Sequence, residues 1–285
     1  MANLLEAIYT IATNQIPDIV EYYRSKNKIN AAGDALELFV KDIFANTVTE
    51  TDEAKKGEVY EQVFSYFGNG NNPPDLMLIN GDAIEVKKLE SETATIALNS
   101  SYPSSKLFAT SPMITRACRE CEVWTEKELI YAIGCVKKQK LNLLWLIYGD
   151  CYAASQEIYE GVKRKIISGI NNIVGVEFNP TKELGRVNRV DPLGITSLRI
   201  RGMWQIEHPH KVYQYLNLEP KQLNKTFRLF ALMREEKYLS FPLASRKKLE
   251  LLGDRNFQIR DVKIKSPDNP VKLIAAKLIS YAVFN

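Results

Sequence analysis

Two acids and one lysine near the middle of the chain have the types and spacing that metal-assisted phosphodiester hydrolysis requires. Asp75 follows Pro74 at the start of an apolar run, and Glu85 and Lys87 occupy alternate positions of a second run. Mg²⁺ takes hard oxygen ligands, keeps several waters and commonly uses one or two protein carboxylates. A lysine beside such a pair can orient the attacking water and stabilise charge that develops at phosphorus. These residues form a candidate hydrolytic site, although an ordinary charged hairpin explains the same pattern.

The turn between the two runs decides whether the three side chains can act together. Asn80-Gly81 is a strong signal for a β-hairpin. With a two-residue turn, Asp75 lies opposite Val86 and points away from the other two site residues. With an odd loop, such as residues 80–82, Asp75 lies opposite Lys87 and all three share one face. The chemistry therefore predicts an odd-length loop or a bulge at this hairpin.

Acid-x-lysine spacing is not specific by itself, because it recurs at Glu53/Lys55, Glu235/Lys237 and Asp261/Lys263. The last pair lies on a predicted strand with Asp254 upstream, so it is the serious rival. The hairpin has the better context: a Pro-Asp step opens one strand, a tight turn follows, and the second strand carries the acid and the lysine.

Hydrophobic periodicity identifies the elements that must position this site. Residues 31–46 predict a helix with an apolar stripe of Leu36, Phe39, Val40, Ile43 and Phe44. Glu37 lies about 60° around that helix from Val40, at the border of the buried face. Residues 128–136 and 141–149 predict buried central strands, and Ser155 is placed to cap a helix with the stripe Ile158, Val162, Ile166 and Ile170.

The remaining chain alternates predicted strands and helices. Residues 97–112 carry too many Ser and Pro for a regular element, and strands are predicted near 197–204, 227–233 and 257–265, with helices near 210–217 and 242–252. No linker forces a domain cut. We therefore expect an α/β or α+β fold in one continuous domain, 1–285, with a mixed central β-sheet flanked by helices.

Composition limits the cellular location and the kinds of metal site that we expect for the protein. No apolar run is long enough for a membrane span, and the N-terminus reads as an amphipathic helix, so a cytoplasmic location is expected. Cys118, Cys121, Cys135 and Cys151 fit buried thiols in a reducing compartment better than a zinc site, since a second close-spaced ligand pair is missing. His208 and His210 are too few for a histidine-based metal centre.

Charge is distributed unevenly. Residues 34–92 hold 5 Lys or Arg against 13 Asp or Glu, whereas residues 221–265 hold 12 against 5. An acidic part that gathers metal and a basic part that meets phosphate would have this pattern, and so would two solvated surfaces of opposite sign. Arg246-Lys247-Lys248 is interpreted as a solvated helix face rather than a phosphate clamp.

Several segments together resemble the NgoPII-like type II restriction endonucleases of the PD-(D/E)xK nuclease superfamily. The resemblance runs from about residue 30 to the C-terminus and rests on the segments GDALELFVKDIFAN, NNPPDLMLINGDAIEVKK, ALNSSYPSSKL, YGDCYAA, ELGRVNRVDPLGI and RIRGMW. It implies a restriction-endonuclease-like core and Mg²⁺-dependent cleavage of double-stranded DNA at a short palindrome, GGCC. It also implies Asp75 and Glu85 as metal ligands, Lys87 as the catalytic lysine and Glu37 as a further acid for metal or water.

The resemblance also implies partners, and it implies that catalysis and DNA recognition lie in different parts of the chain. A palindromic site favours a homodimer, and a modification methyltransferase is the expected functional partner. The catalytic core is expected at about 30–175 and the basic, DNA-recognising part at about 180–285. Two other functions stay open: a structure-specific repair or junction nuclease of the same superfamily, and a DNA-binding protein without catalysis.

Two polar segments are candidates for DNA contact. Guanine is read best by Arg or Lys, and Asp can accept from cytosine. One segment offers four arginines with polar neighbours, namely Arg186, Asn188, Arg189, Asp191, Arg199 and Arg201. The other offers hydroxyls, an amide and a lysine for phosphates or base edges, namely Asn99, Ser100, Ser101, Tyr102, Ser104, Ser105 and Lys106. The competing explanations are ion-paired arginines and an ordinary polar loop.

Overall fold

One large mixed β-sheet organises the computed structural model, which describes residues 2–14, 18–27, 32–68, 70–218, 225–253 and 256–284. Asp254 of the rival motif lies outside these residues. The expected mixed sheet flanked by helices is confirmed. None of the described helices is long and apolar enough to cross a membrane.

The strands are β1 Phe64–Phe67, β2 Leu76–Leu78, β3 Ala83–Leu89, β4 Ile96–Asn99, β5 Lys106–Phe108, β6 Glu126–Lys137, β7 Lys140–Tyr148, β8 Glu177–Pro180, β9 Gly185–Asn188, β10 Leu198–Ile200, β11 Trp204–Ile206, β12 Lys225–Arg234, β13 Phe257–Lys265 and β14 Leu273–Phe284. The α-helices are α1 Leu4–Thr13, α2 Ile19–Asn27, α3 Ala32–Ala45, α4 Glu53–Val63, α5 Arg116–Glu120, α6 Gly149–Tyr152, α7 Gln156–Asn171, α8 Pro209–Val212, α9 Glu235–Ser240 and α10 Leu243–Glu250. A 3-10 helix spans Gln214–Leu216.

The main sheet has the order β1-β2-β3-β6-β7-β12-β14-β13, with β5 paired to β6. β3 runs parallel to β6 and β7 runs parallel to β12, while the other pairings are antiparallel. β6 and β7 are buried along almost their whole length, as their apolar sequences predicted. Strands β12 to β14 belong to this same sheet, so the expected catalytic and recognition parts share one core.

Helix α3 packs on the sheet beside β3 and β6, and its predicted apolar stripe is buried. Gly134 on β6 makes room for this contact, because a Cβ there would come within 2.6 Å of the Leu36 side chain. At the far end of α3, the buried Asp42 carboxylate binds Lys56 at 2.6 Å and accepts hydrogen bonds from Tyr23 and Tyr60. This network ties α2 and α4 to α3 and fixes the helix that carries Glu37.

Several local expectations were wrong. The polar stretch at 97–112 contains β5, and β4 runs into its start; the predicted strand at 197–204 is divided between β10 and β11. β14 was missed. Ser155 occupies the N-cap position of α7, but its side chain makes no capping hydrogen bond.

Candidate active site

The hairpin that joins β2 to β3 has an odd loop, as the chemistry required. Leu76 pairs with Ile84 and Met77 with Ala83, and the amide of Leu78 donates to the carbonyl of Asp82 at 3.0 Å. The loop is therefore 79–81, one residue earlier than the example of 80–82. Asn80 adopts a left-handed conformation (φ 52°), which favours Asn at this tight turn.

Pairing becomes irregular at Asp75. Its amide donates to the carbonyl of Ile84 at 3.1 Å, although Ile84 is already paired with Leu76. Its side chain turns across to β3, where Oδ2 accepts a 2.6 Å hydrogen bond from the amide of Val86. Gly68 packs against the same point, since a Cβ there would lie 2.6 Å from the carbonyl oxygen of Pro74. The backbone thus holds Asp75 against the strand that carries the other two residues.

Asp75 and Glu85 are both 9% exposed, so two acidic side chains are buried side by side with little access to water. Burial, and then the nearby negative charge of Glu85, raise the pKa of Asp75 to about 7. The hydrogen bond from Val86 and the charge of Lys87 act in the opposite direction. Two buried carboxylates in this arrangement repel one another unless a proton or a cation lies between them.

Glu85 and Lys87 project from the same face of β3, two residues apart, and form an ion pair of 2.6 Å between Oε1 and Nζ. Burial would lower the pKa of Lys87, but the carboxylates of Glu85 and Asp75 outweigh it and the pKa is raised. Lys87 is therefore a cation at neutral pH. The second oxygen of Glu85, Oε2, is buried and has no hydrogen-bond partner among the described residues.

Glu37 lies on α3 close enough for its charge to raise the Asp75 pKa. Its carboxylate pairs with Lys41 one turn along the helix, at 3.1 Å. Within the described ranges no three Asp, Glu, His or Cys side chains converge to hold one ion. The proposed ligand set of Asp75, Glu85 and Glu37 is therefore not assembled as a triad here, because Glu37 is turned to Lys41. The acids that could hold a divalent cation are Asp75 and Glu85, and the unpartnered Glu85 oxygen fits such an ion.

The rival acid–lysine pairs lie in different surroundings. Asp261 on β13 is 76% exposed at its side chain and pairs with Lys277. Lys237 on α9 is bound to Asp82 at 2.9 Å and also to Glu128. Glu53 stands in the exposed first turn of α4. Lys237 does bind a buried acid, Asp82, but Asp261 and Glu53 are exposed, unlike the buried acid pair of Asp75 and Glu85.

Tyr131 is a residue that sequence reasoning missed. It lies directly beside Glu85 in the parallel β3–β6 pair, and its hydroxyl accepts from the amide of Ser104 at 2.8 Å and donates to the Ser104 carbonyl at 3.2 Å. Gly149 allows the same loop to approach, since a Cβ there would lie 2.4 Å from the Ser104 carbonyl oxygen. Tyr131 thus fixes the loop beside the acids. Its place in a fully buried strand gave no sequence signal for this role.

The first predicted DNA-contact segment is that loop. Asn99 ends β4 with a left-handed backbone (φ 52°), and Ser100, Ser101, Ser104 and Ser105 are half-buried along the turn. The hydroxyl of Tyr102 donates to Glu160 at 3.2 Å, and Lys106 pairs with Glu126 at 2.6 Å. The segment is therefore placed next to the acids by β4, β5 and Tyr131.

The second segment forms a small sheet of order β10-β9-β8. Three of its four arginines are ion-paired, each to a glutamate. Arg199 and Arg201 share Glu183 at 3.3 and 3.0 Å, and Arg189 approaches Glu177 at 3.6 Å.

The side chains of Arg186 and Asp191 are also engaged within this segment, and Asn188 is the last residue of β9. Arg186 donates to Ser197 at 2.6 Å. The Asp191 carboxylate accepts from the amides of Leu193 and Thr196. Contact with DNA would require these side chains to exchange partners.

Among the described residues, the cysteines and histidines form no group of three or more side chains that could hold a metal ion. Cys118 and Cys121 are on and just after α5, with Cys135 on β6 and Cys151 on α6. All four are free thiols. His208 accepts from the amide of His210 at 3.0 Å, and burial lowers its pKa to about 4.

A mixed sheet that presents two buried acids and a lysine at a hairpin, beside a polar loop, is the architecture of a restriction-endonuclease-like enzyme. The family model for the NgoPII restriction endonuclease matches residues 2–265. A curated relative, the type II restriction enzyme NgoPII of Neisseria gonorrhoeae, is 46% identical over 280 residues, covering 98% of this chain and 99% of that protein. No solved structure matches the chain. The chain belongs to the NgoPII restriction endonuclease family, and the match includes the N-terminal helices.

Proposed function

We propose that this protein is a Mg²⁺-dependent type II restriction endonuclease that cuts double-stranded DNA at a short palindrome, GGCC. The observation that carries the proposal is the buried acid pair of Asp75 and Glu85, with Lys87 at 2.6 Å from Glu85 and with a Glu85 oxygen that has no partner in the described part of the chain. Membership of the NgoPII family supplies the class of substrate. GGCC is carried by resemblance to that family.

The residues of the chain divide the chemistry between them. Asp75 and Glu85 would hold the cation, whose charge would offset the repulsion between the two buried carboxylates. Lys87 holds the attacking water by donation from Nζ and places a positive charge beside the phosphorane-like transition state. Glu37, at the rim of the site, orients water on the side of α3. When bound, Mg²⁺ supplies charge neutralisation and a water of lowered pKa.

Recognition falls to the two polar segments. The loop Asn99–Lys106 lies beside the acids and suits phosphate or base-edge contacts, and the arginines of the small sheet suit guanine. A palindrome presents two equal half-sites related by a two-fold axis, so we propose that the enzyme acts as a homodimer. A cognate methyltransferase that modifies the same sequence is the expected functional partner.

Digestion of a plasmid of known sequence with Mg²⁺, followed by sequencing of the ends, tests this function. Discrete fragments with ends inside GGCC are expected, and prior methylation of those sites should block cleavage. Fragments that map to branched or damaged DNA would support a structure-specific nuclease instead. Retarded but uncut DNA, with wild-type protein and Mg²⁺, would support a binding protein.

A further inference from the structure

A buried lysine lies against the loop 79–81 that joins β2 to β3. Lys127, on β6, is 7% exposed, and its ammonium donates to the carbonyl of Gly81 at 2.7 Å and to the carbonyl of Leu78 at 3.2 Å. Its third partner is the carboxylate of Glu122. An ammonium has three donors, so these contacts satisfy Lys127 within the protein. A buried cation is costly without such partners, so Lys127 depends on the loop as the loop depends on it.

Glu122, just after α5, contacts the same loop. One oxygen of its carboxylate pairs with Lys127, and the other accepts from the amide of Asn80 at 3.0 Å. The Glu122 side chain is 13% exposed, so this ion pair is also poorly hydrated. We call Lys127 and Glu122 the clamp. Between them they bind two carbonyls and one amide of residues 78–81.

The residues of the loop favour a different turn. Asn80-Gly81 between two strands is a strong signal for a two-residue type I′ turn, which needs a positive φ at both residues. Asn80 has a φ of 52°, but the φ of Gly81 lies outside the left-handed region. The loop closes instead between Leu78 and Asp82. The folded chain therefore holds a three-residue loop against the preference of its own turn residues.

The apolar pattern of β2 does not choose between the two turns. All three residues of β2 are apolar and buried, so a shift by one residue exchanges one apolar side chain for another on each face. β3 cannot shift in the same way, because it pairs with β6 along residues 83–89. Asp82, just before β3, also accepts hydrogen bonds from Tyr148 and Lys237. β2 is therefore the strand whose register needs a further constraint.

We propose that the clamp selects the register of β2 on β3 and thereby brings Asp75 beside Glu85. With the two-residue turn, which we call the slipped register, Asp75 would lie opposite Val86 and point away from Glu85 and Lys87. Lys127 and Glu122 are positioning residues, since they act on the reaction through the loop. This inference rests on the proposed function for its effect on cleavage, whereas the register itself can be measured without it.

The clamp distinguishes the two registers because it binds backbone. A slip of one residue moves the carbonyl of Leu78 about 3.3 Å along the strand and reverses its direction. Lys127 would then lose an acceptor and keep a buried charge that is only partly satisfied, which is unfavourable. The clamp therefore opposes the slip, even though the side chains of β2 do not.

Disulfide formation in the full-length protein tests the register. Leu76 lies opposite Ile84 in the structure, and it would lie opposite Glu85 in the slipped register. Leu76→Cys with Ile84→Cys should therefore cross-link on mild oxidation, and Leu76→Cys with Glu85→Cys should not. Adding Lys127→Met should reverse these two results. Adding Lys137→Met, at the exposed end of the same strand, should leave them unchanged. An unchanged pattern with Lys127→Met overturns the proposal.

Single-turnover cleavage tests the consequence for the reaction. Lys127→Met should slow cleavage by about 10²-fold, because a small misplacement of reacting groups can have that effect. Binding to a GGCC duplex in EDTA should stay within about twofold of wild type. Lys127→Arg keeps the charge and the donors and should recover most of the rate, and Lys137→Met should cut as wild type does. If Lys127→Met does not fold, Glu122→Leu provides a second variant, for which we expect cleavage to be slower by on the order of tenfold.

The effect of Mg²⁺ on thermal unfolding separates positioning from stability. Mg²⁺ should raise the melting temperature of wild type and Lys137→Met equally, and that of Lys127→Met much less, because the acids no longer lie together. If Lys127→Met melts lower but keeps the full rise with Mg²⁺ and the wild-type rate, Lys127 serves stability alone and the proposal is overturned. A wild-type protein that does not cut, but whose cross-links reverse with Lys127→Met, would overturn the nuclease function and leave the clamp intact.

Discussion

Strands β3 and β13 carry the same acid-x-lysine spacing in the same sheet, yet they differ in the burial of the acid and in the side chains beside it. β3 lies inside the sheet, where Glu85 meets a second buried acid and has one oxygen without a partner among the residues that the structure describes. β13 lies at the sheet edge, where Asp261 is mostly exposed and bound to Lys277. Spacing sets only which side chains share a face. The position of the strand in the sheet sets burial, and burial gives the charges their strength.

The sharpest test of this comparison removes each lysine. Lys87→Ala should lower plasmid cleavage by about 10³-fold, because it removes the charge and the donor beside the acids. Lys263→Ala should cut within about twofold of wild type. Binding to a GGCC duplex, measured by gel shift in EDTA, should persist in both. Normal cleavage by Lys87→Ala together with loss in Lys263→Ala would transfer the site to β13.

Stability offers a second test through Asp75 and its counterpart Asp261. The pKa of Asp75 is about 7 in the folded chain against an ordinary value of 3.8, so folding favours its protonated form. That contribution is fully present below about pH 4 and is lost as pH rises through about 7. In EDTA at pH 8, Asp75→Asn should therefore melt a few degrees above wild type, and the gap should close toward pH 4.

Mg²⁺ should reverse the sign of that difference. The ion binds the folded wild type and stabilises it, whereas Asp75→Asn lacks one ligand and gains less. Asp261→Asn should show neither the gain in EDTA nor the loss with Mg²⁺. Thermal unfolding at pH 8 with and without the metal measures both signs, and equal shifts in all three proteins would remove Asp75 from the metal site.

Glu37 and Glu53 form the next pair, since both are helical acids near a lysine. Glu37→Gln should slow cleavage by about tenfold, because its charge reaches Asp75 across the site. Glu53→Gln, in the exposed first turn of α4, should be neutral. Single-turnover rates at saturating enzyme separate this effect from DNA binding. If Glu37→Gln cleaves at the wild-type rate, the role of Glu37 is limited to its ion pair with Lys41.

The smallest expected effect concerns two tyrosines whose hydroxyls accept hydrogen bonds from backbone amides. Tyr131→Phe releases the Ser104 loop beside β3 and should weaken cleavage several-fold, mainly through binding of DNA. Tyr215→Phe is its counterpart, since that hydroxyl accepts from the amide of Lys265 at the end of β13. It should leave cleavage unchanged. An equal loss in both would point to stability rather than to the loop.

The sequence predicted the parts of this molecule that follow from local periodicity and chemistry. The stripe of α3, the buried strands β6 and β7, and the odd hairpin loop were all expected and are present. Contacts between distant segments were not accessible. Nothing local says that Tyr131 holds Ser104, that Arg199 and Arg201 share Glu183, or that α7 turns its stripe outward, because periodicity defines a face but not its partner.

The three-residue loop between Leu78 and Asp82 also bears on how this family can change over time. Side chains alternate between the two faces of a strand, so the length of the loop determines which side chains of β2 and β3 share a face. Loss or gain of one residue there would either turn Asp75 away from Glu85 and Lys87 or turn the buried side chains of β2 or β3 outward. Such a chain would lose either the acid pair or part of its core, so natural length variation at this turn should proceed in steps of two.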